Sequence, residues 1–475
     1  MKKFKLILLI FILMPCLFII NGCSFLEEPN IYVTDIIQTE VVGDKTTYTV
    51  YYSNGETSLL TINNGKDGDD GDDLTIQSIK EYCESEHIDF NQFLQKYLTV
   101  VQNNQTIQDA TNIALQSTVT VWCEFPTSDY YNNKKVSIAC GAGVIYKMEE
   151  EFSYIITNYH VVYYAECDTS NGIANKIHLY QYGKQEGYTK TSQKENGYPV
   201  IKFYEGAVDA EFIGGSLNYD IAVLKVKTDD LKANNEHVAP VAVADEYSIS
   251  ETAIAIGNPE GDGFSVTSGI ISVESEQITM TGADDITECE FRVMRIDTAV
   301  NGGNSGGGLF NINGELIGIV NAKAISSDID NIAYAIPYDN ATKVADNIIH
   351  YHNQSKTIVQ VKMLILDIKY NIENSRAIYD PNTNRTTIQN DLKVVDVTTG
   401  SVGQLIGLQA NDIIKNISIN GEVYEILRDY QFLDLLLTIR AGDKIIITVK
   451  RGETTKELGI TTEAGVLDSH LTVVI

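Results

Sequence analysis

At 475 residues the chain is too long for one hydrophobic core, so two or three domains are expected. Charged residues make up 21% and hydrophobic residues 44%, as suits a globular protein. The net charge of -29 argues against nucleic acid as a partner, because phosphate would be repelled, and against a general basic attraction to anionic lipid.

The N-terminus, MKKFKLILLIFILMPCLFIINGC, has three lysines, a long apolar run, small residues and then Cys23. That is the layout of a secretory signal. The ending Ile20-Asn21-Gly22-Cys23 resembles a bacterial lipobox, although Asn21 stands where that pattern has a small apolar residue. On this reading residues 1–22 are a lipoprotein signal peptide. Cys23 becomes the lipid attachment point, and two acyl chains anchor stably where one does not. The other reading is an uncleaved membrane helix over residues 6–20, near the lower limit for a span. Either way the expected location is the extracytoplasmic face of the cell membrane. Of seven cysteines, five remain beyond Cys16 and Cys23, at wide spacings that fit no zinc ribbon or disulfide lattice. A bridge such as Cys123–Cys140 would require neighbouring strands; buried free thiols are the alternative.

Residues 23–104 read as a spacer. TTYTVYYSNGETSLLTI alternates like two strands, and Asn54-Gly55 reads as their hairpin turn. The Asp-rich segment 65–73 (GKDGDDGDD) lacks the glutamate of an EF-hand, so it reads as a solvated linker rather than a calcium site. Residues 75–98 carry helical apolar spacing in two short pieces.

From residue 105 to 340 the texture changes to short Val/Ile-rich runs separated by Gly, Asn and Asp turns, the signature of a barrel-forming, mainly β domain. Residues 340–353 have the spacing of an amphipathic helix, within a linker at 341–357. A last domain, 358–475, mixes strands with one helix near residues 429–439. Its polar stretch 371–385 reads as an insertion.

Within the β-rich region NGGNSGGGLF, residues 301–310, sets Ser305 among five glycines. Such a loop is often only a turn. It is also what a nucleophilic serine needs, because glycines let several amides converge on a developing oxyanion. The serine then needs a general base. Among seven histidines, His160 alone sits where an apolar strand gives way to a turn. The base needs a buried carboxylate to orient it. Asp220, opening the apolar run DIAVLKV, fits. Taken singly, Asp220 reads equally as a strand-start turn residue and His160 as a surface imidazole.

The order His…Asp…Ser in a β-rich chain is that of chymotrypsin-type proteases. TNYHVV, NYDIAVLKV, AIGNPEG…SVTSGIIS, RIDTAVNGGNSGGGLFNINGELIGI and NIAYAIPYD resemble, in order, linked motifs of the HtrA (high-temperature-requirement A) family. The resemblance runs from about residue 115 to 355. It implies a chymotrypsin-like double β-barrel with Ser305 as nucleophile, His160 as general base and Asp220 as orienting carboxylate. Amides of Gly303, Asn304 and Ser305 would form the oxyanion hole. Val300, Asn321, Ala322 and Lys323 would line the substrate pocket. No cofactor or metal is implied. Gly302 and Gly308 depart from the family's usual residues, prolines above all, and add backbone freedom. The G-x-S-x-G run also fits α/β-hydrolases, but that fold requires a helix after the serine and a downstream histidine. Here Asn313-Gly314 turns one strand into the next.

The last domain resembles the PDZ domain of the same family in VVDVTTGSVGQLIGLQANDIIKNISINGE and AGDKIIITVKRGETTKEL. Peptide addition to its sheet edge is implied. The glycine that opens amides to a terminal carboxylate is missing from VQVKMLILDIKY. The expected function is a membrane-tethered serine endopeptidase that cleaves unfolded or misfolded exported proteins through an acyl-enzyme. A catalytically silent binding scaffold and a processing protease with one substrate are the competing readings. Family members assemble as trimers through aromatic residues near the protease N-terminus, for which Phe125, Tyr130 and Tyr131 are candidates.

Overall fold

The computed structural model describes residues 33–42, 45–52, 57–63, 106–169, 171–322, 332–381, 385–461 and 471–474. The leader 1–22, Cys23, the linker 65–73, the helical pieces of 75–98 and Lys323 lie outside the described residues. The chain divides into two compact units, residues 1–101 and 102–475.

The first unit holds an antiparallel sheet of β1 (Val33–Val42), β2 (Lys45–Tyr52) and β3 (Thr57–Asn63), in that order. β2 and β3 flank Asn54-Gly55 and pair in register from Lys45↔Asn63 to Tyr51↔Thr57, the hairpin that the alternating Thr, Tyr and Val residues predict.

The second unit opens on α1 (Ile107–Ala114), whose N-terminus is closed by a reciprocal Thr106–Asp109 capping box. The strands β4 (Thr118–Ser128), β5 (Lys134–Met148) and β6 (Phe152–Thr157) follow. After them come the one-turn helix α2 (Tyr159–Val162) and strand β7 (Lys176–Gln181). A side hairpin, β8 (Tyr188–Glu195) and β9 (Tyr198–Phe203), precedes β10 (Val208–Ser216) and β11 (Ile221–Lys227). The order β11-β6-β5-β4-β7-β10 closes because β10 also pairs with β11, giving a six-stranded barrel. Helix α3 (Thr228–Asn234) leaves it.

The second barrel is closed by β12 (Thr252–Gly257), β13 (Ser265–Thr281), β14 (Glu288–Ile296), β15 (Gly308–Phe310), β16 (Leu316–Asn321) and β17 (Ala333–Pro337). Its order is β12-β13-β14-β17-β16-β15. The double barrel expected from the sequence is therefore present.

The apolar runs are continuous because strands near the barrel junction are buried on both faces. In β6, Ile155 packs inside the first barrel with Val121 and Leu179. Its neighbours Tyr154 and Ile156 face a second core shared with Ile256, Phe310 and Ile319 of the other barrel. This shared core fixes the two barrels against each other.

Helix α4 (Tyr338–Ser355) spans the predicted 340–353 segment and buries Ala341, Val344, Ala345 and Ile348 on that same core. Their i, i+3, i+4, i+7 spacing is the periodicity that announces the helix. Strand β18 (Val359–Leu364) then pairs in parallel with β10 and antiparallel with the last strand.

The C-terminal module contains β19 (Ile368–Asp380), β20 (Arg385–Val397), helix α5 (Val402–Ile406), β21 (Ile413–Ile419) and β22 (Glu422–Glu425). Helix α6 (Asp429–Leu436), β23 (Lys444–Arg451), β24 (Thr454–Thr461) and β25 (Leu471–Val474) follow. Its sheet runs β19-β20-β21-β23-β24, with β22 on β21, around Leu392, Ile417, Phe432 and Ile447. The polar stretch 371–385 is no loose insertion. Most of it is the outer half of β19, paired with β20 to Asp380↔Arg385. Its side chains are largely exposed, so no apolar alternation marked it as a strand.

The module is tied to the second barrel by buried ion pairs. Arg292 of β14 pairs with Asp434 of α6 and with Asp339 of α4, the latter at 2.7 Å. Its Nη2 also donates to the Tyr247 hydroxyl at 2.8 Å. Arg428 donates to Glu274 at 2.5 Å.

Cys123 and Cys140 do lie on neighbouring strands, yet they form no bridge. Cys123 stands opposite Ala139 and Cys140 opposite Trp122. Residues facing each other across a ladder share a face, so the two thiols point to opposite sides of the sheet. Cys123, Cys140 and Cys167 are free thiols. Phe125 is also unavailable as an assembly contact, because its ring is buried in the first barrel, whereas Tyr130 and Tyr131 stand 97% and 82% exposed.

Candidate active site

The junction of the barrels is where the three predicted side chains meet. His160 is carried by α2, directly after β6. Asp220 precedes β11, which pairs with β6, so Ala222↔Thr157 registration brings the two residues together. Ser305 lies just before β15 of the second barrel.

Asp220 is 4% exposed. Its Oδ2 lies 2.7 Å from His160 Nδ1, and its Oδ1 accepts the His160 backbone N–H at 2.9 Å. A third donor, Asn321 Nδ2, reaches Oδ2 at 2.9 Å from the second barrel. A buried carboxylate is tolerated when it is hydrogen-bonded in this way. The Asp220 backbone sits at φ 47°, a left-handed conformation that costs on the order of 1–3 kcal/mol away from glycine. Asp and Asn adopt it more readily than most residues. The surroundings hold it there: the Asp220 carbonyl accepts from Asn158 Nδ2 at 2.9 Å and from Tyr159 N–H at 3.1 Å.

On the far side of the ring, His160 Nε2 lies 2.8 Å from Ser305 Oγ. The distances form an unbroken relay from buried carboxylate to imidazole to hydroxyl, in which the hydroxyl proton has an acceptor and the resulting imidazolium has a counter-charge.

The glycines around Ser305 follow from close backbone approach. Gly303 has φ 97°, and a Cβ there would lie 2.0 Å from Asn258 O. Gly306 has φ 81°, and a Cβ there would lie 2.2 Å from Thr157 Oγ1. Gly302, by contrast, has open space at its Cβ position.

The carbonyls of the loop are anchored: Gly302 O accepts from Glu260 N–H at 2.9 Å and Asn304 O from Gly307 N–H at 3.0 Å. In a trans peptide the N–H points opposite to the C=O. The amides of Gly303 and Ser305 are therefore turned away from those anchors, and neither donates a hydrogen bond among the described residues. Asn304 differs from the expectation. Its N–H is donated to Asn301 O at 3.0 Å, so of the three only the Gly303 and Ser305 amides have no acceptor among the described residues.

Residues 141–319 match the trypsin-like peptidase domain family. The chain is similar to "Serine protease Do-like HtrA" of Bacillus subtilis (strain 168), 27% identical over 358 residues, 73% of this chain and 68% of the relative. These similarities support a serine endopeptidase with a trypsin-like peptidase domain. The protease is also similar to "Serine protease Do-like HtrB" of the same organism, 29% identical over 326 residues, 67% of this chain and 61% of that relative. Among solved structures, "HtrA-type protease AlgW with decapeptide" is 21% identical, covering 74% of this chain and 97% of that one, with a TM-score of 0.45.

The expected pocket residues do not all face one space. Val300 packs into the core of the second barrel, with Ala322 against its edge. Asn321 is fully buried, with its amide turned to Asp220 as a hydrogen-bond donor. Nothing at position 321 alone marks that role in the sequence. It follows from β16 ending beside the first barrel. Among the described residues no helix is long and apolar enough to cross a membrane, and no cluster of His, Cys, Asp and Glu could hold a metal ion.

Proposed function

We propose that Ser305, His160 and Asp220 form the catalytic triad, and that the Gly303 and Ser305 amides form its oxyanion hole. The observation that carries this reading is the relay of 2.7 Å and 2.8 Å contacts through His160. His160 takes the Ser305 proton as the hydroxyl attacks the scissile carbonyl, then gives it to the leaving amine. Asp220 holds the ring with Nε2 toward Ser305 and stabilises the imidazolium. The acyl-enzyme is then released by water along the same path.

Substrates on this reading are unfolded or misfolded exported polypeptides. The support is the family resemblance, together with an N-terminus read as a lipid anchor at Cys23 that tethers the protease to the outer face of the cell membrane. The C-terminal module is a PDZ-like domain that takes peptide by strand addition. Its resemblance to that domain lies in residues 394–422 and 441–458. A homotrimer is the assembly we favour, with the exposed pair Tyr130 and Tyr131 as contact candidates; mass in solution reads it directly.

Casein digestion by the wild type and by Ser305→Ala tests the reading. Digestion that vanishes in the variant supports it. No digestion by either protein favours a binding scaffold that keeps the fold without the chemistry.

A further inference from the structure

We propose that Glu186, acting through Asn258, is a positioning residue for the oxyanion-forming loop; the inference rests on the triad reading above. Glu186 lies in the loop between β7 and β8, far from Ser305 along the chain. One of its oxygens, Oε2, accepts three hydrogen bonds: from Thr120 Oγ1 at 2.8 Å, Trp122 Nε1 at 3.0 Å and Asn258 Nδ2 at 3.1 Å. Thr120 and Trp122 belong to β4, so the carboxylate is bolted to the first barrel.

Asn258 follows β12 of the second barrel and is fully buried. Every polar end of it is oriented. Its side-chain oxygen accepts Gly263 N–H at 2.8 Å, which leaves the NH2 group for Glu186. Its backbone N–H donates to Gly303 O at 3.1 Å. Its carbonyl lies where a Cβ on Gly303 would collide. The next turn of the same loop holds Gly302 O through Glu260 N–H. The 258–263 loop is thus the bed on which the 302–303 peptide lies, and that peptide carries the Gly303 amide.

The bed is fastened to the first barrel at this one charged point. Gly261 also rests beside the Trp122 ring, where its Cβ position is 3.1 Å from the ring edge. The arrangement answers a specific weakness. Gly302 and Gly303 have little intrinsic preference for one conformation, so the loop needs an external template to present its amide. The path Glu186–Asn258–Gly303 supplies that template across the barrel junction. Neither Glu186 nor Asn258 touches the reacting atoms.

The test uses three variants of the full chain: Asn258→Asp, Glu186→Ala and the conservative Glu186→Gln. Asn258→Asp sets two carboxylates against each other. In Glu186→Gln the amide oxygen takes the place of Oε2 and still accepts from Thr120, Trp122 and Asn258. Peptide hydrolysis, the rate of phosphonylation by a fluorophosphonate and thermal melting are measured for each.

We expect Asn258→Asp and Glu186→Ala to lose roughly tenfold or more in kcat and in phosphonylation rate with KM little changed, as loss of an oxyanion contact does. Glu186→Gln, which keeps the acceptor oxygen, retains most of both rates. Variants that melt earlier but keep wild-type kcat, or a Glu186→Gln protein as impaired as Glu186→Ala, overturn the inference and leave the triad standing. A wild type inert toward peptide and fluorophosphonate overturns the triad reading and this inference with it.

Discussion

Asn321 Nδ2 donates to Asp220 Oδ2 at 2.9 Å, joining the end of β16 in one barrel to the acid of the other. The same oxygen faces the His160 ring, so the amide and the imidazole fix the carboxylate between them. Removing Asn321 as Asn321→Ala leaves the acid with one fewer donor and a freer plane. A hydrogen bond to a charged group contributes about 1.5–3 kcal/mol, so kcat is expected to fall roughly tenfold or more with KM held. Steady-state kinetics on a peptide substrate checks this; an unchanged kcat would contradict an orienting role.

Gly306 permits an approach that no other residue allows, because a Cβ would meet Thr157 Oγ1 and Ala142 O at 2.2 and 2.3 Å. Gly306→Ala is therefore expected to displace Ser305 from His160. Activity should drop by about a hundredfold or more. Circular dichroism of the β-rich chain should remain that of the wild type. Gly302→Ala, at a position with open space, is the matched control and should be far milder.

The ion pairs that hold the C-terminal module make a stability prediction. Arg292 and Asp434 are both buried, and Asp339 shares the guanidinium. Arg292→Met strands the two carboxylates, and breaking a buried pair from one side costs about 3–5 kcal/mol. Chemical denaturation should show that loss. Adding Asp434→Leu should restore part of it, because the fully buried member of the two stranded carboxylates is replaced by an apolar side chain. Equal stability of wild type and Arg292→Met would refute the tie.

Glu186 gives a pH signature. Burial raises its carboxyl above the ordinary range, against the opposing hydrogen bonds of Thr120 and Trp122. A raised acid binds its proton more readily in the folded than in the unfolded state. Its contribution to stability therefore grows as pH falls through the raised value toward the unfolded one. Glu186→Gln removes that titration. Melting temperatures of wild type and Glu186→Gln should shift relative to each other between neutral pH and the carboxylate range, in favour of the wild type as pH falls. Parallel curves would contradict the burial of a titrating group there.

The double barrel was legible because its strands carry apolar runs with turn residues between them, and because His160, Asp220 and Ser305 sit in motifs whose order is itself informative. The helix over residues 338–355 was legible from its stripe of Ala341, Val344, Ala345 and Ile348. What stayed hidden depends on contacts between distant segments. From sequence Asn321 reads as a pocket-wall residue, because its hydrogen-bond partner lies in the other barrel. Glu186 carries no local signal at all; its role comes from where the loop after β7 meets Trp122 and Asn258. The outer half of β19 was missed because both of its faces meet solvent, so polarity masked the strand. The Cys123–Cys140 bridge failed on pleat parity, which needs the strand register rather than the sequence.

The proposed chemistry needs a nucleophile at Ser305 activated by His160. Fluorophosphonate labelling of the intact chain, with the adduct located by peptide mass mapping, measures it most directly. One adduct is expected, on the peptide containing Ser305, with labelling lost in Ser305→Ala and slowed severely in His160→Ala. An adduct on another serine, or labelling of Ser305 at the same rate without the imidazole, would contradict it.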